Sequence, residues 1–411
     1  MSSDFFNTTI GEQVTLQRGF DITKKKQIVG LVPVVSSGGV ASFHNEAMAT
    51  GPGVILGRKG TLGTVFYINE DYWPHDTTLW VKDYKGNNPR FVYYFFLSIA
   101  EMLKKMDVGA ANPTLNRNHV HPLPIIWTSR ENQNDIVEVL ASIDDKIELN
   151  LRINQTLKEI AQAIFKSWFA DFEPVKAKIQ AKANGQDPER AAMCAISGKF
   201  DDELDRLPTD QFSQLLATAA LFPDELTDSE QGLIPKDWKV KKIEEVIKRF
   251  SVGKKYSQKT ASKTGKVPIL DQGKSGIIGY HNDEPGVKAS LEDPIIVFAN
   301  HTCYMRLVMH GFSAIQNVLP FKGNGLNIYW IFLATYGKQN FIEYKGHWPD
   351  FVINKIIVPN NSLDEKFGEY VACFFKEQFV NEKQASSLAE LRDTLLPKLL
   401  SGEIDLQQIA V

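Results

Sequence analysis

The chain repeats itself over a long interval. Val32-Pro33-Val34-Val35 returns as Val267-Pro268-Ile269-Leu270, 235 positions later, and Val92-Tyr93-Tyr94-Phe95-Phe96-Leu97 returns as Ile328-Tyr329-Trp330-Ile331-Phe332-Leu333, 236 later. Leu123-Pro124 returns as Val358-Pro359, again at 235, and each copy then runs into a long apolar-periodic helix whose offset is 231. A repeat of this length is a duplicated domain, because solenoid repeats recur every few tens of residues. Two similar globules, each followed by a long helix, suit a protein that engages two separated pieces of something extended.

Within each copy, glycines punctuate short β-branched runs. Gly51, Gly53, Gly57, Gly60 and Gly63 bracket Val54-Ile55-Leu56 and Thr64-Val65-Phe66-Tyr67, which read as strands joined by tight turns. Ile295-Ile296-Val297-Phe298 reads as a buried strand in the second copy. Phe91–Lys104 and Ile328–Gly337 read as helices with an aromatic face, which makes each copy a mixed α/β globule and the fold class α+β.

The long helices carry heptad seams. In the first, the positions are Ile136, Leu140, Ile143, Ile147, Asn150, Asn154, Leu157, Ala161, Ile164 and Trp168; in the second they are Phe367, Val371, Phe374, Gln378, Asn381, Ala385, Leu388, Arg392, Leu395 and Leu399. Both seams are apolar at their ends and polar in the middle. Antiparallel pairing would bring Asn150 and Asn154 against Gln378 and Asn381, and such a polar layer fixes register at some cost in stability. Pro397 is expected to kink the second helix or to start a separate segment.

The resulting division is 1–130, first globule; 131–172, long helix; 173–232, acidic linker; 233–362, second globule; 363–411, C-terminal long helix. The linker reads as partly ordered, with one helix at Thr209–Ala220. From Gln186 to Pro235 there are eleven acids and three bases, a net of −8, which leaves +5 on the rest of a chain whose total is −3. The repeated parts are therefore mildly basic, which permits DNA binding without requiring it. Cys194, Cys303 and Cys373 are few and far apart, which points to a reducing cytoplasm and away from a disulfide framework or a zinc site. The N-terminus lacks the basic and apolar regions of a signal peptide, and the most apolar stretch, Phe91–Leu103, is too short to span a bilayer.

Catalytic motifs fail on inspection. Gly273-Lys274-Ser275 resembles the end of a P-loop, but Pro268 stands where the loop needs glycine. Gly51, Gly53 and Gly57 make no dinucleotide fingerprint, and Asn112-Pro113-Thr114-Leu115 lacks the second proline and the aromatic of a methyltransferase motif. His44, His75, His119 and His121 are not spaced as helix-borne metal ligands, so no metal or cofactor is expected on this chain. The residues suited to a ligand are polar and basic ones on glycine-rich loops. Arg58 suits guanine, Lys59 suits phosphate, and Thr61 follows them on the same turn. Asn112, Thr114, Asn116 and Arg117 form a polar cluster before Leu123-Pro124. In the second copy the corresponding stretches hold Asn300, His301 and Arg306, then Lys345 and His347. Lys24 and Lys25 in one copy, and Lys254 and Lys255 in the other, suit phosphate clamps, while the same residues also suit ordinary turns and solvated faces.

These features together resemble the specificity subunit of type I restriction–modification enzymes. Leu233-Ile234-Pro235-Lys236-Asp237-Trp238 is similar to the opening of a target-recognition domain, and Val54-Ile55-Leu56-Gly57-Arg58-Lys59-Gly60 is similar to a segment inside one. Ile143-Asp144-Asp145-Lys146-Ile147, Leu157-Lys158-Glu159-Ile160 and Phe165-Lys166-Ser167-Trp168-Phe169 resemble the family's central conserved region; Leu388-Ala389-Glu390-Leu391-Arg392 to Leu399-Leu400-Ser401-Gly402 resembles its C-terminal counterpart. The first copy departs in lacking the Ile-Pro-x-x-Trp opening. The resemblance implies two similar target-recognition domains joined by a long antiparallel two-helix coiled coil. It implies a non-catalytic, cytoplasmic reader of double-stranded DNA in which each domain reads one half of a bipartite asymmetric target. It implies two modification (methyltransferase) subunits and restriction (helicase-nuclease) subunits as partners, which carry S-adenosylmethionine, ATP and Mg. Ile136–Trp168 spans roughly 50 Å as a helix, at about 1.5 Å per residue, against roughly 34–36 Å for one DNA turn. The alternative is a non-catalytic coiled-coil scaffold that binds proteins rather than DNA.

Overall fold

The computed structural model describes residues 4–106, 114–273 and 276–406. The chain forms two compact units: residues 1–151 with 383–411 (unit 1), and residues 152–382 (unit 2). The long helices are not separate bodies, since each unit takes half of both of them to close its own core.

Unit 1 begins with β1 (Phe5–Thr9) and the one-turn helix α1 (Ile10–Gln13), which a capping box between Thr9 and Glu12 starts. Then come β2 (Thr15–Arg18), β3 (Val32–Ser36), β4 (Gly39–His44), β5 (Gly53–Gly57), β6 (Val65–Ile68), β7 (Trp73–Pro74) and β8 (Thr78–Asp83). One sheet is antiparallel in the order β2-β8-β5-β6; the other has the order β4-β3-β7, with β7 parallel to β3. β5 is buried along its whole length. Its period-2 alternation sends Val54 and Leu56 into the main core with Phe91, Phe96 and Trp127, and Ile55 into a smaller cluster with Val35, Tyr72 and Trp80. The aromatic helix follows as α2 (Pro89–Ser98) and α3 (Ala100–Lys104), a break at Ile99 dividing what reads as one helix. After α4 (Arg117–Val120), β9 (Pro124–Thr128) returns antiparallel to β1, and α5 (Arg130–Phe169) starts.

Unit 2 continues along α5 into α6 (Glu173–Ala183), α7 (Pro188–Ser197), α8 (Asp201–Leu204) and α9 (Thr209–Ala220). The 173–232 segment is thus a helical module with its own small core of Ala192, Met193, Leu204 and Ala219, rather than a partly ordered linker. Its buried Lys178 donates to the Phe222 carbonyl (2.8 Å) and pairs with Glu189 (3.2 Å). The hairpin β10 (Leu226–Ser229) and β11 (Gly232–Pro235) leads to β12 (Lys239–Lys242), α10 (Ile243–Val246), β13 (Ile247–Arg249), β14 (Lys255–Tyr256), β15 (Val267–Leu270) and β16 (Ile277–His281). These are followed by β17 (Ile295–Ala299), β18 (Met305–Val308), β19 (Ser313–Ile315), β20 (Val318–Gly323), α11 (Ile328–Thr335), α12 (Trp348–Val352), β21 (Lys355–Val358) and α13 (Leu363–Leu400). The sheets β13-β20-β17-β18 and β14-β19-β15-β16 repeat the topology of unit 1, with β14 standing where unit 1 has only the Phe20–His75 bridge. Ile296 and Phe298 enter the main core here, and Ile295 and Val297 the smaller one.

The pairings correct two registers of the repeat. Thr9 faces Pro124 where Lys242 faces Lys355, so the counterpart of Leu123-Pro124 is Asn354-Lys355, not Val358-Pro359. Asn88 and Asn327 cap the aromatic helices by accepting from Arg90 N–H and Tyr329 N–H, which matches Val92 to Ile331 rather than Ile328. Loops of unequal length separate the matched elements, so no single offset serves the whole copy. One clasp is repeated residue for residue. The Asn88 backbone N–H donates to Gln133 (2.9 Å) and its side chain to Asn134; the Asn327 backbone N–H donates to Asp364 (2.8 Å) and its side chain to Glu365.

In both units α5 and α13 run antiparallel along the expected seams, and every seam position is buried or half-buried. In unit 1, Leu396 and Leu399 pack with Ile136 and Leu140, and Asn150 donates to Gln384 (2.8 Å). Arg392 holds a seam position because Asp144 meets it at 2.8 Å, and Tyr94 donates to the same carboxylate at 2.7 Å. In unit 2, Asn154 donates to the Gln378 carbonyl (3.0 Å) and accepts from Asn381 (3.0 Å), while Phe165 and Trp168 pack on Phe367. The polar layer therefore forms, but Asn150 meets Gln384 rather than Gln378 or Asn381. Helix α13 runs through Pro397 to Leu400 without a break. Among the described residues no helix is long and apolar enough to cross a membrane.

Candidate nucleic-acid interface

In each unit, three loops meet at one edge of the paired sheets: the β3–β4 or β15–β16 turn, the loop after the buried central strand, and the loop after the short parallel strand. In unit 1 the Thr64 hydroxyl donates to Ser37 O (2.7 Å), and Ser37 N–H donates to the Thr77 hydroxyl (3.3 Å). In unit 2 the Thr302 hydroxyl donates to Gln272 O (2.5 Å), and His301 N–H to the Gln272 side chain (2.8 Å). Among the unit 1 glycines that leave no room for a Cβ, Gly57 and Gly19 shape this edge. A Cβ at Gly57 would collide with the Thr61 carbonyl and Thr64 hydroxyl, and one at Gly19 with the carbonyls of Pro74 and His75.

The structure brings much of the first expected cluster together. Leu115 N–H donates to Arg58 O (2.9 Å), and Lys59 bridges to Thr114, so the polar segment before α4 lies against the Gly57–Gly60 turn. Lys59, Thr61, Asn116 and Arg117 are exposed. Asn116 caps α4 by accepting from Asn118 N–H (3.0 Å). Asn112 lies outside the described residues. Lys24 and Lys25 are exposed on a single 3-10 turn in the β2–β3 loop.

Arg58 is half-buried, and its Nη1 donates to Asp76 O (3.2 Å). Burial, and then the nearby Arg18 charge, push its pKa down, with Asp76 opposing. Arg18, which no local motif marks, places Nη2 2.8 Å from Asp76 Oδ2. Asp21, His75 and Asp76 put potential ligand atoms within 4.8 Å of one another, but Asp76 is engaged by Arg18 (2.8 Å), and His75 Nδ1 accepts from Thr77 N–H (3.3 Å).

Unit 2 requires corrections. His347 is fully buried, with its N–H on Asn300 O (2.8 Å) and Nε2 at 3.0 Å from Glu343 O, so it is a core residue that a ligand in solvent cannot reach. Asn300 is spent on that segment too, accepting from Trp348 N–H (2.8 Å). Arg306 donates to Gly276 O (2.8 Å), and burial lowers its pKa. Lys254 is exposed but paired with Asp283 (3.0 Å), and Lys345 with Asp350 (3.2 Å). Lys255 is exposed, and the His301 ring lies 4.9 Å from that of Tyr344. Sequence reasoning missed Gln316. It lines two open clefts, one of about 540 Å³ with Arg249 and Lys255, the other of about 680 Å³ with Lys259 and Gln272. Such an edge, polar and basic on a rigid frame, suits phosphates and base edges better than a small apolar ligand.

Residues 3–159 match the family model described as "Type I restriction modification DNA specificity domain". The chain is 29% identical over 361 residues to the HindI specificity subunit of Haemophilus influenzae, covering 77% of each. It is 25% identical over 353 residues to the MjaIX specificity subunit of Methanocaldococcus jannaschii, covering 78% of this chain and 70% of the relative. The crystal structure of an S subunit of a type I restriction–modification system from M. genitalium superposes with a TM-score of 0.57 at 16% identity, covering 97% of both chains, a likeness of fold. The duplicated units, the paired helices and these relatives point the same way: residues 3–159 match a type I restriction–modification DNA specificity domain, and the chain as a whole is similar to the specificity subunits of such systems.

Proposed function

We propose that this chain is the non-catalytic, sequence-reading subunit of a type I restriction–modification complex, with unit 1 and unit 2 each reading one half of a bipartite, asymmetric double-stranded target. The observation that carries this reading is one strand topology used twice with different residues on the loop edge: Arg58 and Asp76 in unit 1, Asn300 and Gln316 in unit 2. Equal frames with unequal side chains suit two unlike half-sites. The antiparallel α5–α13 pairing inside each unit supports a spacer role for the helices and a docking surface for two modification subunits, with restriction subunits joining that core. S-adenosylmethionine, ATP and Mg then act on those partners.

Inserting four residues into both α5 and α13 tests the spacer. It adds roughly 6 Å at about 1.5 Å per residue, or about two base pairs at ~3.4 Å each. The expected methylome shows both half-sites unchanged and the gap between them longer; an unchanged gap counts against the spacer role.

A further inference from the structure

We propose that Arg18 reads a guanine in the half-site engaged by unit 1, and that Asp76 is the positioning residue that holds its guanidinium for that contact. This deepens the DNA-reading assignment above and rests on it. Arg18 ends β2, and its side chain is 56% exposed, yet it is not loose: Nη2 lies 2.8 Å from Asp76 Oδ2. Asp76 is fixed in turn. Arg58 donates to its carbonyl at 3.2 Å, and its side chain is only 21% exposed. Gly19 lets the chain after β2 press onto the Pro74 and His75 carbonyls, and Phe20 N–H donates to Pro74 O at 2.7 Å.

Guanine presents O6 and N7 as adjacent acceptors in the major groove, and the arginine fork matches them. A fork held by a carboxylate has less side-chain freedom to lose on binding, and a held fork discriminates geometry better than a free one. A carboxylate on a surface that meets phosphates is unfavourable in itself. Asp76 is therefore explained by selectivity rather than by affinity. Unit 2 carries Gln316 at the matching place after its parallel strand and Asn300 at the place of Arg58, so the device belongs to unit 1 alone.

The test is selection of randomised duplexes on the immobilised full chain, comparing wild type with Arg18→Ala, Arg18→Lys and Asp76→Asn. The wild type should enrich a half-site containing a guanine. Arg18→Ala should erase the preference at that position, by roughly 5- to 150-fold, and Arg18→Lys should not restore it. Asp76→Asn should weaken the same preference while raising affinity for non-specific DNA, a split that a merely structural role would not give. The other half-site serves as the folding control and should be unchanged in every variant. The inference is overturned if Arg18→Ala lowers binding equally on all sequences, if its preferences match wild type, or if Asp76→Asn loses a separate cytosine preference, which would make Asp76 the reader. A wild type that enriches no sequence overturns the DNA-reading assignment itself.

Discussion

Unit 1 carries Arg58 and Asp76 where unit 2 carries Asn300 and Gln316, on strands paired in the same way. In unit 1 the edge is ionic, with Arg18 and Arg58 gathered on Asp76. In unit 2 it is built of carboxamides, and Gln316 stands between two open clefts. The frame is constrained because β5 and β17 are buried throughout, so every residue along them must be apolar and small enough to pack. The residue just past each strand end, Arg58 or Asn300, is only half-buried and is released from that apolar requirement. Duplication with divergence at strand ends thus gives two chemically different edges on one scaffold.

The comparison can be broken at several points. The largest effect is expected from Gln316→Ala and Arg58→Ala. Each should relax specificity in one half-site only, and not the same one, by about 1–3 kcal/mol for a lost bidentate contact or its support; competition binding against single-base variants reads this. Both variants acting on the same half-site would mean that the units do not divide the target.

Next, Arg392→Ala should destabilise unit 1 by about 2 kcal/mol, the scale of a hydrogen bond to a charged group, because among the described residues Asp144 then keeps Tyr94 alone. Denaturant unfolding followed by hydrogen exchange should place the loss in unit 1 and spare residues 152–382.

A smaller and sequence-blind effect is expected at Lys24 and Lys25. Changing both to alanine should weaken binding evenly across sequences and reduce the salt slope by about 2. A change in base preference instead would move that turn from phosphate contact to base reading.

The smallest effect separates the units by pH. His121 Nε2 accepts Leu16 N–H at 3.0 Å, and burial, then the Arg117 charge, depress its pKa below the usual 6.5. A depressed value means stability is fully present above 6.5 and lost as pH falls through the lower, folded-state value. Unit 1 should therefore lose stability as pH falls from 6.5 toward that lower value, and His121→Gln, which keeps an acceptor and cannot titrate, should flatten the slope in that window. Unit 2 has Val352 at the matching place and should not share this term.

The seams were legible because Ile136 to Trp168 and Phe367 to Leu399 keep a heptad spacing that only a packed helix pair explains. They stay legible through Asn154 and Arg392, whose partners the opposite helix supplies. The helical module at 173–220 was half hidden by its acidity. Asp187-Pro188 at the start of α7 and Gly198 at its end are ordinary start and stop signals, and α9 was read at its observed bounds. Arg18 and Asp76 could not have been found locally, since they lie 58 positions apart and meet only through β-pairing. His347 misled for the opposite reason. A histidine beside Lys345 reads as a surface ligand, and only the fold shows it buried at the N-terminus of α12 with its ring on a main-chain carbonyl.

The division of α13 has a consequence for synthesis. Unit 2 is one unbroken run of chain, 152–382, whereas unit 1 borrows 383–411. Leu396 and Leu399 complete a core whose other members, Val54 and Trp127 among them, leave the ribosome hundreds of residues sooner. The lobe translated first is the lobe finished last, and until the final turns of α13 emerge its Ile136–Leu140 face stays bare. A chain released near residue 382 would hold one mature lobe and one sticky one, so premature stops there should fall hardest on the lobe that α13 completes.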